Sequence, residues 1–278
     1  MDRSTYAEQA VERRSALTIY RNNTKWRQIV HWLLPKVVSV SALITIWQLL
    51  VWTGWANTKI IPPPLQLISA TRQLISTGEL GVHVLASSRR VVVGFLIASV
   101  CGVSSGLILG SSRRLSDCIT PLIELLRPIP PIAWIPLAIL WFGIGDRPAF
   151  FIVALGAFFP IFINSFAGIW SVSHSHIAAA RCLGADRRLL LTDVLIPAAL
   201  PHILTGLRIG LGIAWTSVIA AELVGAQSGL GYMIQTNRIL LRTDKIVVGM
   251  AMIGVVGLFM NTGMVALENR WLKWKKQG

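Results

Sequence analysis

The fold class is decided by the stretch Val91-Val-Val-Gly-Phe-Leu-Ile-Ala-Ser-Val-Cys-Gly-Val-Ser-Ser-Gly-Leu-Ile-Leu-Gly110, which contains no charged side chain. A helix that crosses a bilayer needs about 20 mostly apolar residues. Outward from this stretch the same rule selects five more segments, approximately Val37–Trp55, Ile119–Gly143, Ala149–Trp170, Leu200–Ala226 and Ile246–Leu267. The sequence therefore predicts an all-α membrane protein with about six transmembrane helices.

The composition agrees with a lipid environment. Apolar residues make up 54% of the 278 residues and charged residues only 14%, where soluble domains usually have about a quarter. The mean hydropathy is +0.63. The net charge of +14 would suggest nucleic acid in a soluble protein, but here the basic residues lie mainly between apolar runs, as topology signals that face anionic lipid do.

The distribution of Lys and Arg predicts that both termini are cytoplasmic, because basic residues favour the cytoplasmic side. Residues 1–36 are a basic N-terminal segment without the apolar core of a signal peptide, and residues 37–278 form the transmembrane domain. The cytoplasmic side would also hold the Arg113-Arg114 turn, residues 171–196 and the C-terminal tail. A minority of basic residues falls outside: Lys59, Arg72, Arg89, Arg90, Arg147, Arg238, Arg242 and Lys245.

The third segment is the least regular. It contains Glu124, Arg127 and five prolines, and each proline removes a backbone donor or kinks a helix. Within a membrane, such a break is tolerated only where the freed carbonyls face protein or a water-filled cavity. We therefore expect this segment to line a cavity.

The segment between the fourth and fifth spans reads His176-Ile-Ala-Ala-Ala-Arg-Cys-Leu-Gly-Ala-Asp-Arg-Arg-Leu-Leu-Leu-Thr-Asp-Val-Leu-Ile-Pro197. Its three alanines favour a helix, Gly184 suits a helix C-terminal cap, and Pro197 suits the first turn of a new helix. The pattern predicts a helix, a sharp bend and a second helix that enters the membrane. Periodicity alone allows either a docking surface for another protein or a solvated loop.

This spacing resembles the signature cytoplasmic loop of ATP-binding-cassette importer permeases, Glu-Ala-Ala, three residues, Gly and a later apolar-x-apolar-Pro. Ala178 stands where that family usually has glutamate. The resemblance implies a coupling helix that docks into a groove of a cytoplasmic ATPase. The residues that it assigns to coupling are Ala178, Ala179, Ala180, Gly184, Ala185, Asp186 and Pro197.

Further motifs resemble the sulfonate, taurine, nitrate and bicarbonate group of these permeases, nearest to the aliphatic sulfonate members. They include Ser87-Ser-Arg-Arg90, Arg127-Pro-Ile-Pro-Pro-Ile-Ala-Trp-Ile-Pro136 and Gly229-Leu-Gly-Tyr232. The resemblance implies a homodimer in the bacterial inner membrane, two cytoplasmic ATPase subunits and an external substrate-binding protein. The chain has no phosphate-binding Gly-x-x-x-x-Gly-Lys-Ser/Thr motif, so we expect no enzyme activity and no cofactor in it, with ATP and Mg²⁺ bound by the partner ATPase.

Five residues are candidates for the translocation pathway or its gates: Glu124, Arg127, Trp134, Arg208 and Glu222. A charge within a span usually faces protein or water, so Arg208 either attracts an anionic substrate or has a structural role, bonding free carbonyls or pairing with Glu124. Glu124 and Arg127 can also pair with each other on one helix face. Glu222 is expected in a packing or outer-gate contact.

The expected function is transport of a small anion such as an aliphatic sulfonate or taurine. Nitrate and bicarbonate are alternatives with the same architecture, and which anion is carried stays open at this point. A secondary transporter is a more distant alternative, because only one span is clearly broken whereas such transporters often contain paired broken helices. No cluster of His, Cys, Asp or Glu in the sequence suggests a metal site.

Overall fold

The computed structural model describes residues 60–272 and, before them, residues 35, 38, 39, 41, 42 and 44–53. The chain divides into two units, Met1–Gln66 and Leu67–Gly278. In the first unit residues 44–52 are helical, and the predicted span Val37–Trp55 lies partly outside the described residues. The predicted basic segment 1–36 lies outside them except for residue 35.

The rest of the described chain is helical, with no strand between residues 60 and 272. The helices, in order, are α1 Pro64–Ser76, α2 Glu79–Gly110, α3 Arg113–Leu126, a 3₁₀ turn Pro131–Trp134, α4 Ile135–Phe142, α5 Asp146–Trp170, α6 His174–Cys182, α7 Arg187–Gly225, α8 Leu230–Ile239 and α9 Thr243–Trp271.

Four of these helices, α2, α5, α7 and α9, are long and apolar enough to cross a membrane. The bent pair Arg113–Leu126 and Pro131–Phe142 becomes a fifth candidate if it counts as one span. The two halves of this pair meet at 84°, at the proline-rich stretch where the sequence predicts a break. The all-α membrane fold is thus confirmed.

Helices α2 and α7 both extend beyond the predicted spans. Helix α2 begins at Glu79, ahead of the approximate span start Val91, and α7 begins at Arg187, ahead of the approximate span start Leu200. In both cases the apolar run marks only the part of the helix that lipid can cover, while the helix continues through polar residues beyond it. Arg89 and Arg90 therefore lie inside a helix and not in a connecting loop.

Helix α5 packs along both α2 and α7, and glycines allow these helices to approach closely. A Cβ added to Gly106 of α2 would lie 2.7 Å from the Cβ of Ser165. A Cβ at Gly206 of α7 would lie 2.7 Å from the Cβ of Asn164. Small residues at such contacts increase van der Waals packing, the main force between helices in lipid.

Two ends of this bundle are used as landmarks below. The Arg90 end contains the N-termini of α2 and α5, the C-terminus of α7 and helix α8, which meet through side-chain hydrogen bonds. The Gly184 end contains the C-termini of α2 and α5 together with α6 and the start of α7.

Candidate functional site

Helix α6 and the bend after it form the predicted helix, bend and helix arrangement at the Gly184 end. The backbone N–H of Gly184 donates to the Arg181 carbonyl at 3.0 Å, and that of Ala185 donates to the Ala180 carbonyl at 3.0 Å. These two bonds form a Schellman motif, in which the residue after the helix cap takes a left-handed conformation. Gly184 has φ +86°, a conformation that glycine adopts without the steric cost that most other residues have there.

The bend is also fixed from its other side. Asp186 accepts a hydrogen bond from the backbone N–H of Leu189 at 2.7 Å, as an N-cap residue does. Ser173 caps the start of α6 in the same manner. The surface of the bend is open, and Leu183 is 88% exposed. The result is a rigid, two-sided cap that presents small residues, Ala178 and Ala179 among them, to the surroundings.

Pro197 lies in the first turn of the α-helical part of α7, Ile196–Gly225, as the sequence predicts. It lies within α7, directly after a π-helical turn at Leu190–Leu195. The backbone N–H of Ile196 donates to the Leu191 carbonyl, five residues earlier. Because proline has no N–H, it is a suitable point for the bonding to change from this wide turn to the α-helical register.

A cavity of about 390 Å³ lies where the broken third segment meets α5 and α7. The broken segment contributes a single cation, Arg127, and a set of apolar residues covers most of the remaining wall. The lining residues are Arg127, Ile129, Pro130, Pro131, Gly156, Phe159, Pro160, Ile163, Asn164, Ile209 and Ile213.

Helix α5 is adapted to this cavity by three residues, Pro160, Asn164 and Gly156. Pro160 lies inside the helix, so the Gly156 carbonyl has no intrahelical N–H donor. The side-chain amide of Asn164 donates to the Pro160 carbonyl at 2.8 Å. A side chain at Gly156 would overlap the hydroxyl of Ser217 on α7. Freed backbone carbonyls of this kind are tolerated in membranes where they face a cavity.

The structure separates the other pathway candidates. Glu124 is exposed on α3, and within the described residues neither it nor Arg127 forms an ion pair, so their predicted pairing is wrong. Arg208 does not pair with Glu124 either. Its guanidinium lies 3.8 Å from the carboxylate of Glu268 on α9. Trp134 packs against the apolar cluster around Ile135 and does not line the cavity.

Glu222 lies at the Arg90 end, in a buried polar cluster that sequence reasoning did not find. Arg90 donates from Nη1 to Glu222 at 2.7 Å, and from Nε and Nη2 to Asp146 at 2.9 and 2.6 Å. Its Nη1 and Nη2 also donate to the carbonyl and hydroxyl of Ser228. All five guanidinium donors can be satisfied in this way, so the buried cation is fully compensated.

The same cluster holds the N-terminus of α8. The backbone N–H of Gly229 donates to His83 Nδ1 at 3.1 Å, that of Leu230 to Ser87 Oγ at 2.8 Å, and that of Gly231 to Glu222 at 2.9 Å. The first N–H groups of a helix have no intrahelical acceptor, and here α2 and α7 supply the acceptors. The cluster therefore joins α2, α5, α7 and α8 at one point.

A signal for this cluster exists in the sequence. His83, Ser87, Arg90 and Gly94 follow one another at spacings of four, three and four residues, which places them on one helix face. That face continues the buried stripe of α2 into its polar part. The Lys and Arg distribution places Arg90 outside the spans, so this spacing does not by itself predict a buried cluster. For metals, no group of three His, Cys, Asp or Glu in the described part of the chain is placed to hold an ion.

Comparison with known proteins adds a family match. Residues 94–273 match the model of the family described as binding-protein-dependent transport system inner membrane component. The chain is 35% identical to the taurine transport system permease protein TauC of Escherichia coli (strain K12), over 92% of this chain and 95% of the relative. It is 38% identical to a Bacillus subtilis (strain 168) protein that is named as an aliphatic sulfonates transport permease protein, SsuC, over 87% of this chain and 86% of the relative.

A third relative is the nitrate import permease protein NrtB of Synechocystis sp., 32% identical over 84% of this chain and 89% of the relative. Among solved structures, the MetNI methionine ABC transporter in an inward-facing conformation has a subunit that superposes with a TM-score of 0.60 at 20% identity. That match covers 67% of this chain and 93% of the other. At this level of identity the structural likeness concerns the fold.

Proposed function

The chain belongs to the family of binding-protein-dependent transport system inner membrane components and is a permease subunit of an ATP-binding-cassette importer, and we propose that it translocates a small organic anion, an aliphatic sulfonate or taurine, across the bacterial inner membrane. Relatives named for sulfonates and taurine support this substrate class. The nitrate permease relative supports the competing class of inorganic anions.

The lining of the cavity between the broken segment, α5 and α7 favours one of these two classes, organic or inorganic anions. Its one cation, Arg127, would attract the anionic head of a substrate, and Phe159, Ile163 and Ile213 would cover an alkyl chain. Nitrate and bicarbonate are hydrated on all sides, and an apolar wall cannot replace the hydrogen bonds that they lose. An anion with a hydrocarbon part therefore matches this lining better.

Energy for transport would come from a separate ATPase that binds the Gly184 bend. The rigid cap around Gly184 and the exposed small residues of α6 suit close docking into a groove, and α7 runs from the bend through the bundle as one helix. A displacement of the bend would thus reach Ile209 and Ile213 in the cavity wall without an intervening hinge loop. ATP and Mg²⁺ would be bound by that partner and not by this chain.

The proposal also includes an orientation in the membrane and two further partners. The Gly184 end and both termini would face the cytoplasm, because Arg113, Arg114, Arg181, Arg187 and Arg188 are concentrated there. A binding protein would deliver substrate at the Arg90 end. A second copy of the chain would complete the pathway, and Gly212, which has no atom within 4 Å of an added Cβ, leaves room on α7 for close helix approach.

Ligand-stimulated ATPase activity tests this proposal. The chain would be assembled in nanodiscs with a candidate ATPase and a candidate binding protein, and challenged with alkanesulfonates of increasing chain length, taurine, nitrate and bicarbonate. We expect the organic anions to stimulate ATP hydrolysis, and we expect this stimulation to be lost in Arg127→Gln and retained in Arg127→Lys. Stimulation by nitrate or bicarbonate alone would refute the organic substrate. Failure of any ATPase to associate would refute the importer assembly itself.

A further inference from the structure

A second cavity, of about 280 Å³, lies at the Gly184 end, against the coupling bend and away from the proposed pathway. It forms where the turn after α2 meets the turn after α5, helix α6 and the π-helical start of α7. Two arginines and one histidine line it, Arg113, Arg181 and His174. Arg113 comes from the start of α3, whereas His174 and Arg181 come from the first and last turns of α6. Two separate segments therefore bring these basic groups to one place.

The two arginines have no compensating acid. Among the described residues, neither Arg113 nor Arg181 forms an ion pair or side-chain hydrogen bond, and no Asp or Glu lines the cavity. Among the described acids on these elements, Asp186 caps α7 and Asp193 accepts from Thr192, while Asp117, four residues after Arg113 on α3, forms no ion pair with it. The positive-inside bias accounts for basic residues at this end, but it does not account for their convergence on one cavity.

The rest of the wall is apolar and lies at the edge of the spanning helices. Ile169, Ile177 and Leu195 form its floor, and Trp170, which is half exposed, stands at its rim at the end of α5. Tryptophan at a span end is typical of the level of lipid headgroups. A ligand held here would have an anionic part near the arginines and an apolar part against the floor.

We propose that this cavity binds a phosphate-bearing ligand, with the phosphate between Arg113 and Arg181 and its substituents against Trp170 and the apolar floor. Arginine is suited to this chemistry because its planar guanidinium donates two parallel hydrogen bonds to phosphate oxygens. Basic pockets between membrane helices on the cytoplasmic side hold anionic lipid headgroups in other proteins. A phospholipid headgroup and a soluble phosphate share this chemistry.

The position gives such a ligand a mechanical consequence. Arg113 begins α3, which leads into the broken segment with Arg127, whereas Arg181 lies in the last turn of the coupling helix α6. A phosphate that bridges the two would connect the coupling helix directly to the segment that lines the pathway. Only the assignment of this end to the cytoplasmic leaflet rests on the proposed function, because the phosphate site itself is independent of what is transported.

Binding can be measured on the full chain, purified in detergent and freed of lipid, by native mass spectrometry with phosphatidylglycerol or phosphatidylcholine of identical acyl chains. Each arginine near anionic lipid contributes about fivefold in affinity, so we expect Arg113→Gln with Arg181→Gln to weaken phosphatidylglycerol binding about 30-fold. The charge-retaining pair Arg113→Lys with Arg181→Lys should keep most of the affinity. If the Lys pair binds the lipid, substitution at these two positions does not by itself unfold the chain. The weaker binding of the Gln pair then comes from the lost charge.

The matched control is Arg114→Gln with Arg188→Gln, which removes the same charge from neighbouring residues that do not line the cavity. Equal weakening by the control pair, or equal binding of phosphatidylcholine and phosphatidylglycerol by the wild type, would overturn the site. Excess inorganic phosphate identifies the source. If it displaces the lipid, the site accepts a soluble phosphate, and if the lipid stays bound, the ligand is the lipid headgroup.

Discussion

The buried cluster at Arg90 allows a prediction with an internal control, because two adjacent arginines bind the same carboxylate in different surroundings. Arg89 and Arg90 both contact Asp146, but the Arg89 side chain is 62% exposed and the Arg90 side chain 2%. Exposed ion pairs contribute about 0–1 kcal/mol. Removal of one partner of a buried pair costs about 3–5 kcal/mol, since the other charge stays buried without compensation.

We therefore expect Arg89→Met to lower the free energy of unfolding by less than about 1 kcal/mol and Arg90→Met to lower it by about 3–5 kcal/mol. Glu222→Met should cost a similar amount, because it removes the acceptor of Arg90, Ser87 and the Gly231 N–H group. The double variant Arg90→Met with Glu222→Met should be less destabilised than the sum of the two, by up to about 3 kcal/mol, as contacting residues are.

The assay is reversible unfolding in mixed micelles with an increasing fraction of sodium dodecyl sulfate. Intrinsic fluorescence can report it, because the chain has 11 tryptophans. Equal effects of Arg89→Met and Arg90→Met would refute the argument from burial. Strict additivity of Arg90→Met and Glu222→Met would show that the two residues are not energetically coupled, and the cluster would then not be the junction of α2, α5, α7 and α8.

Two further predictions concern packing and orientation. Gly206→Leu should lower the free energy of unfolding of the bundle by about 1–3 kcal/mol, because the new side chain meets Asn164. Gly212→Leu should leave the free energy of unfolding of the isolated chain unchanged, because an added Cβ there has no neighbour within 4 Å. Equal losses in the same unfolding assay would contradict the packing. A variant with Cys182 as its only cysteine, exposed on α6, should react with a membrane-impermeant maleimide in inside-out vesicles. Reaction in right-side-out vesicles instead would place α6 outside the cell.

Much of the fold could be read from the sequence, because its governing signals are local. Four apolar runs correspond to α2, α5, α7 and α9, and the prolines of the third segment mark a bend of 84°. Gly184 was identifiable as a left-handed cap since few other residues adopt a positive φ without strain. Helix ends were less predictable, because hydropathy measures what lipid covers and not where backbone hydrogen bonding stops.

The side-chain partners could not be read in the same way. Arg90 and Asp146 are 56 residues apart, and Arg90 and Glu222 are 132 apart, so their contact depends on how three helices pack. Arg208 illustrates the limit, because its span position indicates a charge that needs a partner but not that the partner is Glu268. The apolar cavity beside Arg127 likewise depends on the meeting of three separate segments.

We propose that the Gly184 bend transmits ATP-driven motion from a partner ATPase to α7. The most direct measurement compares ATP-dependent uptake and ATPase activity for Gly184→Asn and Gly184→Val in proteoliposomes with the partner ATPase and binding protein. Asparagine tolerates the left-handed conformation, whereas a β-branched residue at positive φ is a genuine outlier. Since an added Cβ meets no atom within 4 Å, any difference between the variants reflects the conformation of the bend and its fit to the partner.

We expect Gly184→Asn to retain uptake, and Gly184→Val either to fail to bind the ATPase or to hydrolyse ATP without uptake. The purified Val variant should still unfold at nearly the wild-type detergent fraction, because the strain is confined to an exposed bend. Wild-type uptake by Gly184→Val, or equal loss in both variants, would contradict the claim that the capped bend is the coupling element.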